Sequence, residues 1–426
     1  MESKESTLWR SLGMDLERHD AFLSPLPKVY EEIFLSQPNR PKGMAYFDTV
    51  MSGVHSLRVE ELVAHKQRGG FVVGTYCVYV PEELILAMGG IPVGLCAGAH
   101  FSVPAAEAVL PQTLCPLIKS TFGFYLERIC PYMQACDLIV GETTCDGKKK
   151  AWEIMAGGLP LYVMELPQKK GPKDEELWQS EVWGLLDEIR TRFHAQMPSV
   201  QSLQNAIHKV NRKRSALKAL YALRQNDPPP ISGKDSLLIS QLAFFDDPER
   251  FASQVEALNE ELKARVGRGE GVAPKGSPRL LIAGTPMPLP DWKLHHILET
   301  SGGAAVAEET CTGTRYFEAS VQGDAKTQEG LIESIADRFL GVHCACFSPN
   351  PERIEDILRL AKSQNADGVI YATLPFCQTY QLEFPRVQEA LRETGIPLLS
   401  IESDFSDEDA GQLSTRIQAF LEMIGK

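Results

Sequence analysis

Ten cysteines are the residues of this sequence best suited to chemistry. A thiolate is a nucleophile, a redox group and a soft metal ligand, and spacing decides among these uses. No C-x-x-C pair occurs, which excludes zinc ribbons, thioredoxin-like redox motifs and the ferredoxin cysteine run. The intervals are long instead. Cys77, Cys115 and Cys145 fall in the first half of the chain, and Cys311, Cys344 or Cys346, and Cys377 in the second. Thiolates so far apart converge only through the fold. Three per half underfill a four-coordinate structural site, but they suit an iron–sulfur cluster with one iron left for another ligand or a bridge. Any one of them also fits as a core thiol, because free Cys packs as a small hydrophobe. Cys130 and Cys136, flanking PYMQA, read as structural, and Cys96, after IPVGL, is a reserve ligand.

The elements that must position these thiols alternate. FVVGTYCVYVP, IPVGLC, CDLIVGETTC and LPLYVMELP read as strands, separated by the helices PEELILAMGG, CPLIKSTFGFYLERI and DGKKKAWEIMAGG. That rhythm indicates a parallel, doubly wound sheet. From 172 to 268 the strand signal gives way to long helices. It returns in RLLIAGTPMPLP, AAVAEETC, ADGVIYATLPFC and IPLLSIES. The halves follow one plan. In each, a strand begins at an Asp and ends in a cysteine (Asp137 to Cys145, Asp367 to Cys377), followed by a helix, a Gly-X-Pro and another strand. We expect an N-terminal helical segment (1–68), an α/β domain (69–171), a helical connecting segment (172–275) and a second α/β domain (276–426), both sheets being of flavodoxin-like type. Ligands of open parallel sheets bind at the carboxyl ends of the strands, where most of these cysteines fall.

With 426 residues, 43% hydrophobic and 23% charged, the chain has the composition of a globular protein of two or three domains. A net charge of -13 makes nucleic acid and anionic membrane surfaces poor partners. The N-terminus shows no apolar h-region and no run approaches the roughly 18 apolar residues of a membrane span, so a reducing, cytoplasmic setting is expected. GETTCDGKKK is a poor P-loop, since Lys149 stands where Ser or Thr should hold Mg²⁺. Lys148 to Lys150 read either as a solvated helix face or as positive charge near an anionic group. Gly313 and Arg315 read either as an ordinary turn with a surface Arg or as donors near Cys311. The basic run Lys209 to Arg214 reads as a solvated helical face and His295-His296 as packing. No catalytic acid or base declares itself, and His343, beside Cys344, is the histidine to test as a proton donor.

The blocks GTYCVYVPEELILAMGGIPVGLC, LPQTLCPLIKSTFGF, CDLIVGETTCDGKKK, EETCTGTR, CACFSPNPERIEDI, ADGVIYATLPFCQTY and GIPLLSIESDFSDEDAGQLSTRI resemble the 2-hydroxyacyl-CoA dehydratase / benzoyl-CoA reductase family. Within it they look most like the branch of double-cubane cluster proteins. The resemblance runs from about residue 70 to the C-terminus. It implies two doubly wound domains with iron–sulfur chemistry between them. In the dehydratases each subunit of a heterodimer carries one [4Fe–4S] cluster on three cysteines. In the double-cubane branch one chain binds an [8Fe–9S] cluster, two cubanes joined by a sulfide, through six cysteines. Carried over, Cys77, Cys115 and Cys145 match one triplet, Cys311 and Cys377 two of the other, and the sixth is Cys344 or Cys346. The resemblance also implies a homodimer and a separate ATPase, with its own [4Fe–4S] cluster, as electron donor. The expected activity is the ATP-dependent, low-potential reduction of small molecules. A 2-hydroxyacyl-CoA dehydratase component and a non-catalytic iron–sulfur electron carrier are the alternatives.

Overall fold

A computed structural model describes residues 4–425. The strand cores are apolar without alternation, the mark of strands covered on both faces. Leu138–Glu142, Arg279–Gly284, Ala304–Glu309 and Gly368–Thr373 are buried at every position. Two four-stranded parallel sheets result. In chain order the strands are β1 (Val72–Thr75), β2 (Ile91–Gly94), β3 (Leu138–Glu142), β4 (Leu161–Met164), β5 (Arg279–Gly284), β6 (Ala304–Glu309), β7 (Gly368–Thr373) and β8 (Leu398–Glu402). The sheet orders are β2-β1-β3-β4 and β6-β5-β7-β8, one topology used twice. Each is the flavodoxin-like order, whose switch point lies between β1 and β3, or between β5 and β7.

The repeated sequence signals have repeated physical jobs. The Asp137 carboxylate accepts the Val72 N–H at 2.9 Å, and that of Asp367 accepts the Arg279 N–H at 2.8 Å, so each Asp ties the start of one central strand to the other. The two Gly-X-Pro turns do likewise for the outer strands. Pro160 accepts the Ile139 N–H at 2.8 Å and Pro397 the Val369 N–H at 2.9 Å. Before β1 the described chain is helical, with Leu16–Leu23, Met44–Ser52 and Leu57–Gln67 among its helices. Helices not expected from the sequence include Gly233–Leu242, Thr314–Phe317 and Gln328–Leu340. Gly233–Leu242 is buried at every residue, Lys234 and Asp235 included, so it has no solvent-facing side whose period could betray it.

The basic run does not form the solvated face expected of it. It lies on the helix Val200–Leu223, where Lys209 and Arg212 do reach solvent, but Lys213 and Arg214 point into the protein. The Lys213 ammonium meets Glu82 at 2.6 Å and the Arg214 guanidinium meets Glu83 at 2.6 Å, on the helix that follows β1. Just past the end of the same helix, Arg224 forms a two-pronged pair with Glu308 of β6, both bonds 2.8 Å. One connecting helix is thereby fastened by buried charge to both α/β units. His295 packs against the same Glu308 at 3.0 Å. Removing one member of such a pair strands the other in a water-free interior, at a cost of about 3–5 kcal/mol.

Candidate functional site

The carboxyl ends of both sheets open on one cavity of about 480 Å³, within the size range of small-ligand pockets. Eight of the ten cysteines line it: Cys77, Cys96, Cys115, Cys145, Cys311, Cys344, Cys346 and Cys377. Cys130 and Cys136 do not, and are buried in the core around β1 and β3. All ten are free thiols. Each lining cysteine sits where a strand or connection ends. Cys77 and Cys96 lie two residues beyond β1 and β2, and Cys311 two beyond β6. Cys145 and Cys377 follow β3 and β7. In register, therefore, Cys96 corresponds to Cys311, whereas the counterpart of Cys77 beyond β5 is Pro286.

Three of these cysteines are also helix N-caps. Cys115 precedes the helix Pro116–Glu127, Cys145 the helix Asp146–Met155 and Cys377 the helix Gln378–Glu393. Three helix N-termini thus open toward the cavity, each bringing the positive end of its dipole, a setting that favours thiolates and bound anions. The Lys148 N–H donates to Cys145 Sγ at 3.5 Å. Cys115 is pulled down to about 7, first by the neighbouring Cys377 thiol and then by the Leu117 and Ile118 amides. Cys377, left with the proton, is pushed up.

The halves meet across the cavity. Cys77 of the first lies against Cys311 of the second; Cys311 is held below the ordinary thiol value, first by Cys77 and then by the charge of Arg315, and Cys77 is raised. Cys115 and Cys377 form the second cross-half contact. Within the second half Cys344 is pulled down by its contact with Cys346 and by Arg315. Cys346 is raised in turn, its sulfur 3.9 Å from the Tyr79 hydroxyl. Cys96 donates its S–H to the Tyr76 carbonyl at 2.6 Å and is pushed up to about 12 by burial.

Two cations border this thiol ring. Lys148 is turned inward and paired with buried Glu142, while Lys149 and Lys150 pair outside with Asp146 and Glu153. Arg315 is 6% exposed, not a surface residue, and its Nη1 reaches Cys311 Sγ at 3.4 Å and Cys344 Sγ at 3.9 Å. His343 is held by Asp356 at 2.6 Å and is not among the lining residues. Of the lining tyrosines, Tyr76 and Tyr380, it is Tyr380 whose hydroxyl lies 3.6 Å from Cys344 Sγ and accepts from Arg315. Tyr380 falls in the first turn of the helix after Cys377, in the block FCQTY, where its place three residues past that cysteine was the available signal. The acidic partners Glu142 and Glu309 close strands β3 and β6 and are found only with the fold in hand.

Among the described residues no three His, Cys, Asp or Glu side chains converge closely enough to hold a single metal ion. The thiols are ranged around a cavity, and the donor set is sulfur throughout, bordered by helix N-termini and two cations. These residues fit an anionic, sulfur-ligated group of several metals better than they fit one ion.

A family model described as 2-hydroxyglutaryl-CoA dehydratase, D-component, matches residues 77–424, from the first lining cysteine into the last helix. This chain belongs to that family. The YjiM protein of Escherichia coli (strain K12), provisionally named a dehydratase subunit, is 38% identical over 362 residues, covering 84% of this chain and 93% of its own. The (R)-phenyllactyl-CoA dehydratase beta subunit of Clostridium sporogenes is 23% identical over 364 residues, with 84% and 93% covered. A benzoyl-CoA reductase subunit of Thauera aromatica is 23% identical over 357 residues, with 80% and 87% covered. Proteins named as dehydratase and as reductase subunits are therefore both similar to this chain. Among the described residues no helix is long and apolar enough to cross a membrane.

Proposed function

We propose that the chain is a low-potential iron–sulfur reductase of small molecules, fed with electrons by a separate ATPase that carries its own [4Fe–4S] cluster. The observation that carries this reading is that cysteines of both halves line one cavity of a single chain. Cys77, Cys115, Cys145, Cys311 and Cys377, with Cys344 as the sixth, would hold two cubanes as one [8Fe–9S] group. Cys344 is preferred to Cys346 because Arg315 and Tyr380 both stand against its sulfur. Cys96 is left out because its S–H is spent on the Tyr76 carbonyl. When bound, such a group supplies single electrons at very negative potential. The chain's own residues do the rest. Helix N-termini at Cys115, Cys145 and Cys377 stabilise negative charge, and Lys148 and Arg315 add to it. We take the chain to act in the cytoplasm as a homodimer.

A second reading, a component of a 2-hydroxyacyl-CoA dehydratase, is supported by the relatives named as dehydratase subunits. The two are separated by turnover. With an ATPase partner, ATP and a strong reductant, the reductase reading expects acetylene to be reduced by the chain alone of its family. Dehydration of a 2-hydroxyacyl-CoA that needs a second, different subunit of the family would replace it with the dehydratase reading. Iron-dependent electron uptake with no turnover of either substrate would leave a carrier.

A further inference from the structure

Arg315 is fixed behind the lining cysteines Cys311 and Cys344 by contacts on every nitrogen. Nη2 donates to the carbonyl of Gly284, at the end of β5, and to that of Glu309 at 2.9 Å, while Nε lies 2.8 Å from the Glu309 carboxylate. Nη1 is left for Cys311, Cys344 and the Tyr380 hydroxyl. The Glu309 carboxylate is shared, because Arg353 Nη2 binds its other oxygen at 2.8 Å, and Arg353 in turn binds Glu383. Both guanidinium groups also stand near the Tyr380 ring, at 5.4 and 4.9 Å from its centroid. The first triplet is arranged differently. Cys145 accepts the Lys148 N–H, and the Lys148 ammonium is tied to Glu142 rather than to a thiol.

We propose that Arg315, oriented by Glu309 and partnered by Tyr380, is a positioning residue that makes the metal unit held by Cys311, Cys344 and Cys377 easier to reduce than the unit held by Cys77, Cys115 and Cys145. The inference rests on the reading that both triplets bind iron–sulfur units. Its physical basis is that each added electron places negative charge on the cluster sulfurs and their thiolate ligands. A buried donor aimed at those ligands stabilises the reduced form and raises its potential. The two units of one chain then fill in a fixed order, second half first.

The test is a potentiometric titration of the anaerobically purified full-length protein, followed by electron paramagnetic resonance, with iron and sulfide counted on each sample. Wild type should show two separated reduction steps. In Arg315→Gln at full iron content, the higher step should fall by tenfold or more in its reduction equilibrium, about 59 mV for one electron, while the lower step stays. Arg315→Lys should restore part of that shift. Tyr380→Phe, which keeps the guanidinium and the packing, should move the same step by less, and it decides the matter should Arg315→Gln lose iron. Steps that stay put, or that move together, at full iron content overturn the inference. A wild-type chain without iron overturns the functional reading on which it rests.

Discussion

In the first half, Cys115 and Cys145 cap helices and Cys145 Sγ receives the Lys148 N–H, while the Lys148 ammonium is tied to Glu142. In the second, Cys311 and Cys344 face a buried guanidinium and a phenol, supported by Glu309 and Arg353. Both halves use one sheet topology and aim strand ends at one cavity. The difference teaches that the fold alone supplies an anion-friendly edge, through helix N-termini, and side chains then adjust it. Backbone donors cannot be removed without the helix. The side-chain donors of the second half can be, one at a time.

The largest expected effect breaks both halves alike. Cys145→Ser and Cys377→Ser should each lose most of the bound iron, whereas Cys130→Ser and Cys136→Ser, outside the cavity, should keep it, as measured by iron per chain after anaerobic purification. Full iron in Cys145→Ser would refute the ligand assignment. Next comes a contrast within the second half. Cys344→Ser should lose iron and Cys346→Ser retain it, and the reverse result would transfer the sixth position to Cys346. Stability should then separate the halves. Glu309→Gln removes the carboxylate shared by two buried guanidinium groups and should cost about 3 kcal/mol in chemical denaturation. Glu142→Gln leaves only Lys148, which is partly exposed, and should cost nearer about 1 kcal/mol. Equal losses would show that the two acids do the same work. The connecting helix holds both extremes, since Arg214→Ala, stranding buried Glu83, should cost about 3–5 kcal/mol while Lys209→Ala, the smallest effect, should leave the denaturation midpoint unchanged.

The strands and their duplication were legible because apolar runs, Asp starts and Gly-X-Pro turns are local signals with local jobs. The placing of the thiols was legible for the same reason, since a residue just past a parallel strand must lie at the sheet's carboxyl edge. What sequence could not show was pairing at a distance. Lys213 and Glu82 are 131 residues apart, and nothing near either announces the other. The run Lys209 to Arg214 looked uniformly solvated for that reason, although the helical period sends two of its members inward. Arg315 was left open between turn and cavity, and Glu309, Arg353 and Tyr380, which hold it, come from β6 and from two later helices.

The central claim is that two cysteine triplets of one chain hold one double-cubane group. Iron counted per chain in protein purified without oxygen, with a visible spectrum of the same sample, tests it most directly. About eight irons with broad charge-transfer absorption are expected. About four would reduce the site to a single cubane, and a colourless, iron-free protein would contradict the account outright.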